Sequence, residues 1–405
     1  MNDELSRRLF MASAGGLAAS AASPAWAQQR TRRPYTAPGV YVTETPASAP
    51  AIQPAETSAT LFIDFFGAGD LEIVTSIPEL QTNIGGRTGV DAAALQNVTM
   101  FFRNGGRKAL IASVADAGAA SILGSAGESG VRSLLGSPSL DVDFICAPPA
   151  ASLGVAEAAG VYSEALLLAI EQKSMLLIDA PPGAGFDALD FITNWRGALG
   201  INDRNAALYA PRLDVSGFSN PLCASGTVAG IAARVDASSG VWRAPAGTQA
   251  ALAGATPAAD LTVSDNDLLN QANVNAIRTF RSLGALVWGA RTLSSDAEWK
   301  YLPVRRTALF IEKSLDSGLN WVVFEPNNEN LWSKIRGTVG SFMEDLFRQG
   351  AFAGATQKQS FFVRCDRTTT TQNDIDNGVC NVEIGFAPLK PAEFIILRHV
   401  RRTAS

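Results

Sequence analysis

Short apolar runs alternate with longer segments of mixed polarity from about Ala59 to Gln271. The runs TLFIDFF, LEIVTS, KALIASV, DVDFICAP, SMLLIDAP and AALYAP read as strands, and segments 90–103, 154–172, 186–199 and 225–237 read as helices. Strands that are apolar throughout are covered on both faces. The pattern therefore predicts a parallel or mostly parallel sheet between helices, a layered α/β domain.

From Gly284 to Trp332 the texture changes, and four of the seven tryptophans (288, 299, 321 and 332) fall here. ALVWGA predicts a strand, VRRTALFIEKSLDSG a helix ending at Gly318, NWVVFEP a second strand and ENLWSKIRGTVGSFMEDLFRQG another helix. Beyond them QSFFVRC and GVCNVEIGFAP predict strands around the polar insert DRTTTTQNDIDN, which has the composition of a surface loop. The final run EFIILRHVRR alternates Phe394, Ile396, Arg398 and Val400 against Ile395, Leu397, His399 and Arg401. Because it is apolar on both faces it needs cover on both, and as a terminal segment it is suited to adding to a neighbour's sheet. Packing on its own domain is the alternative.

The N-terminal region has a different character. Arg7 and Arg8 precede a small-residue stretch that closes on Ala25-Trp26-Ala27, a pattern similar to a bacterial twin-arginine export leader. Prolines 34, 38, 46, 50 and 54 then mark an extended arm. Within it VYVTE alternates Val40 and Val42 with Tyr41 and Thr43, a strand too short to be stable without a sheet edge to join. The expected organisation is a leader at 1–27, an arm at 28–58, an α/β domain at 59–272, an α+β domain at 273–390 and a strand arm at 391–405. No stretch approaches the 18 or more apolar residues of a membrane span.

Composition narrows the chemistry. With 405 residues, 47% hydrophobic and 18% charged, the chain is an ordinary globular one, and a net charge of -5 disfavours direct nucleic-acid binding. The four cysteines form no CxxC or Cys/His cluster, which argues against zinc. Cys146 and Cys223 read as buried, inert thiols. Cys365 and Cys380 flank the polar insert, so their sulfurs face each other if the flanking strands pair as a hairpin; a disulfide and two free thiols both remain open. Catalytic patterns are missing: the single histidine is His399, and GxSxG, HExxH and GxxxxGK[ST] do not occur. The carboxylate pairs Asp141/Asp143 and Asp374/Asp376 fit structural or solvated roles better than acid/base work.

Several strings in one order carry a resemblance. PGVYVTE, FFRNGGRKALIASV, SGTVAGIAARVDASSGVWRAP, VWGARTLSSDAEWKYLPVRR, WVVFEPNNENLW, GAFAGATQKQSFFVRCD and APLKPAEFIILR together resemble the tail-sheath family of contractile phage tails and related injection machines. The resemblance implies a middle domain like subtilisin in fold only, an α+β C-terminal domain and strand arms at both ends. It further implies a non-enzymatic subunit without cofactors, polymerising helically as stacked hexameric rings around an inner tail tube, with baseplate and terminator proteins as partners. Such particles assemble in the bacterial cytoplasm; a functional leader would instead imply the alternative, an exported structural or binding protein derived from a sheath and no longer part of a contractile machine. On this reading the subunit-linking arms are Val40 to Thr43 and Phe394, Ile395, Ile396, Leu397, Arg398 and Val400. The receiving sheet is formed by Phe361, Phe362, Val363, Val382, Ile384 and Phe386.

Overall fold

The computed structural model describes residues 50–393, apart from 70, 116, 119–130, 132–140 and 184. The leader, the strand Val40–Thr43 and the run Phe394–Val400 with His399 lie outside the described residues.

The first half builds a layered α/β body. In chain order it contains β1 (Ala59–Asp64), β2 (Glu72–Val74), α1 (Ile77–Asn83), α2 (Ala92–Arg103), β3 (Lys108–Ser113), β4 (Phe144–Cys146) and α3 (Val155–Glu171). There follow β5 (Met175–Asp179), α4 (188–199, π-helical over Phe191–Arg196), β6 (Ala206–Ala210), β7 (Leu213–Val215), α5 (Ser225–Ser239), β8 (Ala255–Pro257), α6 (Val263–Gln271), β9 (Val274–Phe280) and β10 (Gly284–Val287). The main sheet has the order β10-β9-β6-β5-β4-β1-β3-β2. Its six inner strands are parallel, and β10 and β2 close the edges antiparallel. The sheet runs across residue 272, the boundary read from sequence: β9 pairs with β6, Leu208 opposite Val274.

Alternation along each strand feeds two cores. Leu61, Ile63, Leu110, Ile145, Leu176, Ile178 and Leu208 pack beneath α3 and α4 with Tyr162, Leu168, Phe191 and Trp195. Phe62, Ile111, Phe144, Leu177 and Tyr209 point the other way, against Val98 and Phe101 of α2 and Val228 and Ile231 of α5. The closeness of α2 to α5 requires glycine: a Cβ at Gly226 would sit 2.6 Å from the Asn97 carbonyl oxygen. Helix α2 ends as its sequence predicts, with Gly105 at φ +110°, while the Asn104 side chain accepts from Ala253 N at 2.8 Å.

The second half comprises α7 (Leu302–Gly318), α8 (Glu329–Arg348), α9 (Gln357–Ser360), β11 (Phe361–Arg364), α10 (Gln372–Asp376) and β12 (Glu383–Phe386). Its core joins Phe310, Ile311 and Leu315 of α7 to Leu331, Trp332, Ile335, Val339, Phe342 and Met343 of α8. The strand expected at NWVVFEP does not form. Val322 N donates to Leu319 O and Glu325 N to Val322 O, so these backbone groups close local turns instead of pairing with a strand.

Helix α7 belongs to both cores and is bound to the α/β body by buried cations. Leu302 and Leu309 enter the sheet core, whereas Phe310 and Leu315 enter the second core. Arg306 forms a two-pronged contact with Asp236 of α5 at 2.9 and 2.5 Å, both side chains 3% exposed, with its guanidinium 4.5 Å from the Phe144 ring centroid. Lys313 donates to Val142 O at 2.6 Å and to Asp143 at 3.2 Å, and Asp143 also accepts from Ala59 N at 3.0 Å. Arg305 reaches Asn205 at 3.0 Å.

The described end of the proline-rich segment departs from the arm expected there. Ile52 is buried against α7, where a Cβ at Gly318 would approach it to 2.6 Å. Ala55 N donates to Ser314 Oγ at 2.9 Å, and Arg306 reaches Thr57 O at 3.4 Å. One apolar side chain and two backbone contacts are enough to lay this stretch along the helix.

Removing one partner from a buried ion pair leaves the other charge uncompensated. Asp236→Ala is expected to destabilise the chain by about 3–5 kcal/mol, read as a lowered urea midpoint.

Candidate subunit interface

Strands β11 and β12 form a two-stranded antiparallel sheet in the register Phe361–Phe386, Phe362–Gly385, Val363–Ile384 and Arg364–Glu383. Five of the six residues expected in a receiving sheet are thus paired in one ribbon. Val382 precedes the strand and is instead half-buried against the second core. The inner face is anchored by Phe361 and Phe386, whose rings lie 6.0 and 5.5 Å from that of Phe352. On the outer face Phe362 is 41% exposed, crosses over Gly385 and carries the Arg364 guanidinium 4.7 Å from its centroid. Among the described residues no third strand joins this sheet. A two-stranded ribbon is marginal by itself, and its outer edges leave ladder groups to be satisfied.

The polar insert is more ordered than its composition indicates. Thr371 and Asp374 make a reciprocal capping box that starts α10, and Asp366 accepts from Thr368 N at 2.7 Å. Both carboxyls lie below their usual range, because the threonine side chains and amides donate to the charged form. Thr370 Oγ1 accepts from Asn381 N at 3.0 Å and draws the loop back toward β12. Cys365 and Cys380, at the two ends of this loop, are free thiols with their sulfurs 3.7 Å apart.

Beside the ribbon, the turn after α7 presents Val323, 61% exposed, and Phe324, fully exposed at φ +71°. A left-handed backbone is costly for an aromatic residue, and an exposed ring returns none of that cost. The turn is held from its far side, where Asn327 donates to Val379 O at 2.8 Å and accepts from Trp332 Nε1 at 2.8 Å. Sequence reading took these residues for a strand. Their apolar character is the only signal that marks them.

The root of the C-terminal arm is fixed on the sheet. Arg291 donates from Nε and Nη2 to the two Glu393 oxygens at 2.8 and 2.5 Å, and from Nη1 to Asn270 O at 2.5 Å. The Tyr301 hydroxyl adds a contact at 3.4 Å. Arg291 is itself locked to β9, since its backbone N–H and carbonyl both bond the buried Asn275 side chain. This clamp went unnoticed in the sequence because its two residues are 102 positions apart.

The remaining chemistry-bearing groups serve the fold. Asp179 accepts from Ala224 N and Ser225 N at the start of α5, and Asp64 accepts from Phe65 N. Asp143 receives Lys313, and Asp374 caps a helix. Among the described residues no group of three His, Cys, Asp or Glu side chains could hold a metal, and no helix is long and apolar enough to cross a membrane.

The layered α/β body with its small second domain resembles solved contractile-sheath structures. The solved contracted sheath of the PVC extracellular contractile injection system superposes with a TM-score of 0.72 at 27% identity, covering 91% of this chain and 98% of that one. The contracted helical sheath of the anti-feeding prophage gives 0.72 at 27% identity, covering 90% and 99%. Residues 294–401 match the phage tail sheath C-terminal domain. A putative prophage major tail sheath protein of Pseudomonas aeruginosa (strain UCBPP-PA14) is 29% identical over 175 residues, which are 42% of this chain and 43% of that protein. This chain spans less than half the length of the phage sheath proteins it matches. Together these findings make the chain similar in fold to solved contractile sheath proteins over nearly its whole length, and similar in sequence to phage tail sheath proteins over part of it.

Burial works to raise the Glu393 carboxyl, but the hydrogen bonds and charge of Arg291, joined by Lys300 and Tyr301, hold it below the usual range. An acid held lower in the folded state contributes stability that is present above its unfolded value of about 4.3 and is lost as pH falls through the folded value. Glu393→Gln is expected to cost about 1–3 kcal/mol near pH 7, reduced from a fully buried pair by the partial exposure of Glu393. Urea titrations from neutral to acid pH check this. The gap between variant and parent should close as pH drops below about 4.

Proposed function

We propose that this chain is a structural subunit, not an enzyme, of a contractile sheath: it polymerises helically around an inner tube and shortens to drive the tube through a target envelope. The observation that carries the reading is the two-stranded sheet β11–β12, a ribbon with open edges on a packed domain. Strands Val40–Thr43 and Phe394–Val400 of neighbouring copies complete it, each supplying main-chain hydrogen bonds at an edge. Donations to different neighbours make the contacts heterologous, and a rotation that does not close generates a helix. Phe324 and Val323 are presented to an adjacent copy.

Contraction on this reading is a rigid-body rearrangement between two packings of the same subunits, the strand links acting as hinges. Its free energy comes from contacts made only in the shorter state, so no nucleotide is needed. Baseplate, tube and terminator proteins are the partners, in a phage tail or an extracellular injection particle.

Negative-stain electron microscopy of residues 28–405 should show hollow cylinders with a helical surface lattice. Removing residues 28–45, or 394–405, is expected to leave a folded monomer, by circular dichroism, that forms no cylinders. An unfolded product would assign that arm to the subunit's own core and overturn the exchange. For Phe324→Gly, relief of the left-handed backbone and the added freedom of the unfolded chain offset each other, leaving stability within about 1 kcal/mol of the parent. Cylinder formation by this variant should be weakened, and unchanged assembly would remove Phe324 from the interface.

A further inference from the structure

Cys365 follows the last residue of β11, and Cys380 stands shortly before β12. Their sulfurs are in contact at 3.7 Å, with Cys365 fully buried and Cys380 partly exposed. The backbone around both is held by bonds that do not involve sulfur. Arg336 donates to the Cys365 carbonyl, Asp366 N donates to Thr369 Oγ1 at 3.0 Å, and Asn381 N donates to Thr370 Oγ1 at 3.0 Å. Asn327 holds the Val379 carbonyl at 2.8 Å from the neighbouring turn. The two thiols therefore meet because the loop is built to return to its start.

We propose that Cys365 and Cys380 form a redox-modification site, at which a small-molecule disulfide oxidises the pair to an intramolecular disulfide. Cys380, the accessible member, attacks the reagent RS–SR as its thiolate, making a mixed disulfide and releasing one RS⁻. The Cys365 sulfur then attacks the Cys380 sulfur, the second RS⁻ leaves, and the Cys365 proton ends on a released thiolate. In sum two protein thiols and RS–SR give one protein disulfide and two RSH, so the protein is oxidised by two electrons and the reagent reduced by two. Burial, with Cys380 beside it, pushes the Cys365 thiol up to about 12, which assigns the first attack to Cys380. Closing the bond needs the sulfurs to approach to about 2.05 Å, a side-chain movement of under about 2 Å.

Such a bond staples the end of β11 to the segment leading into β12 and sets the separation of the two strands. The site stands on its own geometry, whether or not the ribbon receives strands from neighbours. Cys146 and Cys223 are internal controls: both are buried in the α/β body, and burial holds both thiols well above their usual range.

The test uses the full chain incubated with oxidised glutathione, alkylated under denaturing conditions and digested with trypsin without reductant. The expected product is the peptide 365–367 disulfide-linked to the peptide beginning at Thr368, with Cys146 and Cys223 alkylated. The oxidised chain should also unfold about 5 °C higher in a thermal scan, as expected for a loop of this length, and return to the reduced value in dithiothreitol. Cys380→Ser, at a half-exposed position, should fold normally and show neither the link nor the shift. Alkylation of both Cys365 and Cys380 after oxidation, or glutathione retained on Cys380 without the link, would overturn the proposal.

Discussion

The architecture depends on burying the cations of α7. Arg306 and Lys313 could reach water only if the helix lifted away from the sheet; instead each is brought into the interior and met by a carboxylate, Asp236 from α5 and Asp143 from the loop before β4. Desolvating such charges is expensive, and the cost is offset only while the partners stay in hydrogen-bonding geometry. Displacing α7 therefore exposes several mismatched charges at once. The contacts act as a register lock between the α/β body and the second core, both of which α7 helps to form.

On the function proposed above, rigidity of that kind would let the body, α7 and the second core turn together as one unit. The Arg291–Glu393 clamp extends the same logic to the last described residue, which is tied to β9 through Asn275. At the opposite end of the described residues Ile52, Ala55 and Thr57 lie against α7.

The two-stranded sheet has a corresponding character. Its inner face is satisfied by Phe352, while its outer face offers Phe362 and its edges offer main-chain groups. The nearby Phe324 is strained and exposed, an arrangement that no contact among the described residues repays. Features that are unfavourable in a monomer become intelligible when they are completed by another copy.

The sequence by itself determined the layered α/β body, because strands such as SMLLIDAP and AALYAP are apolar on both faces and can lie only inside a sheet covered on both sides. It also located α7, α8 and the strand pair around the polar insert, since these are local patterns that periodicity and turn chemistry report directly. The tertiary structure alone decided where the sheet ends, for β9 joins β6 through a pairing between residues far apart in the chain. It decided that NWVVFEP turns instead of extending, because the hydrogen bonds available there are local ones. The clamp of Arg291 on Glu393 and the pairing of Arg306 with Asp236 belong to the same category: each residue looks ordinary in its own neighbourhood, and its role comes from a partner that only folding brings within reach.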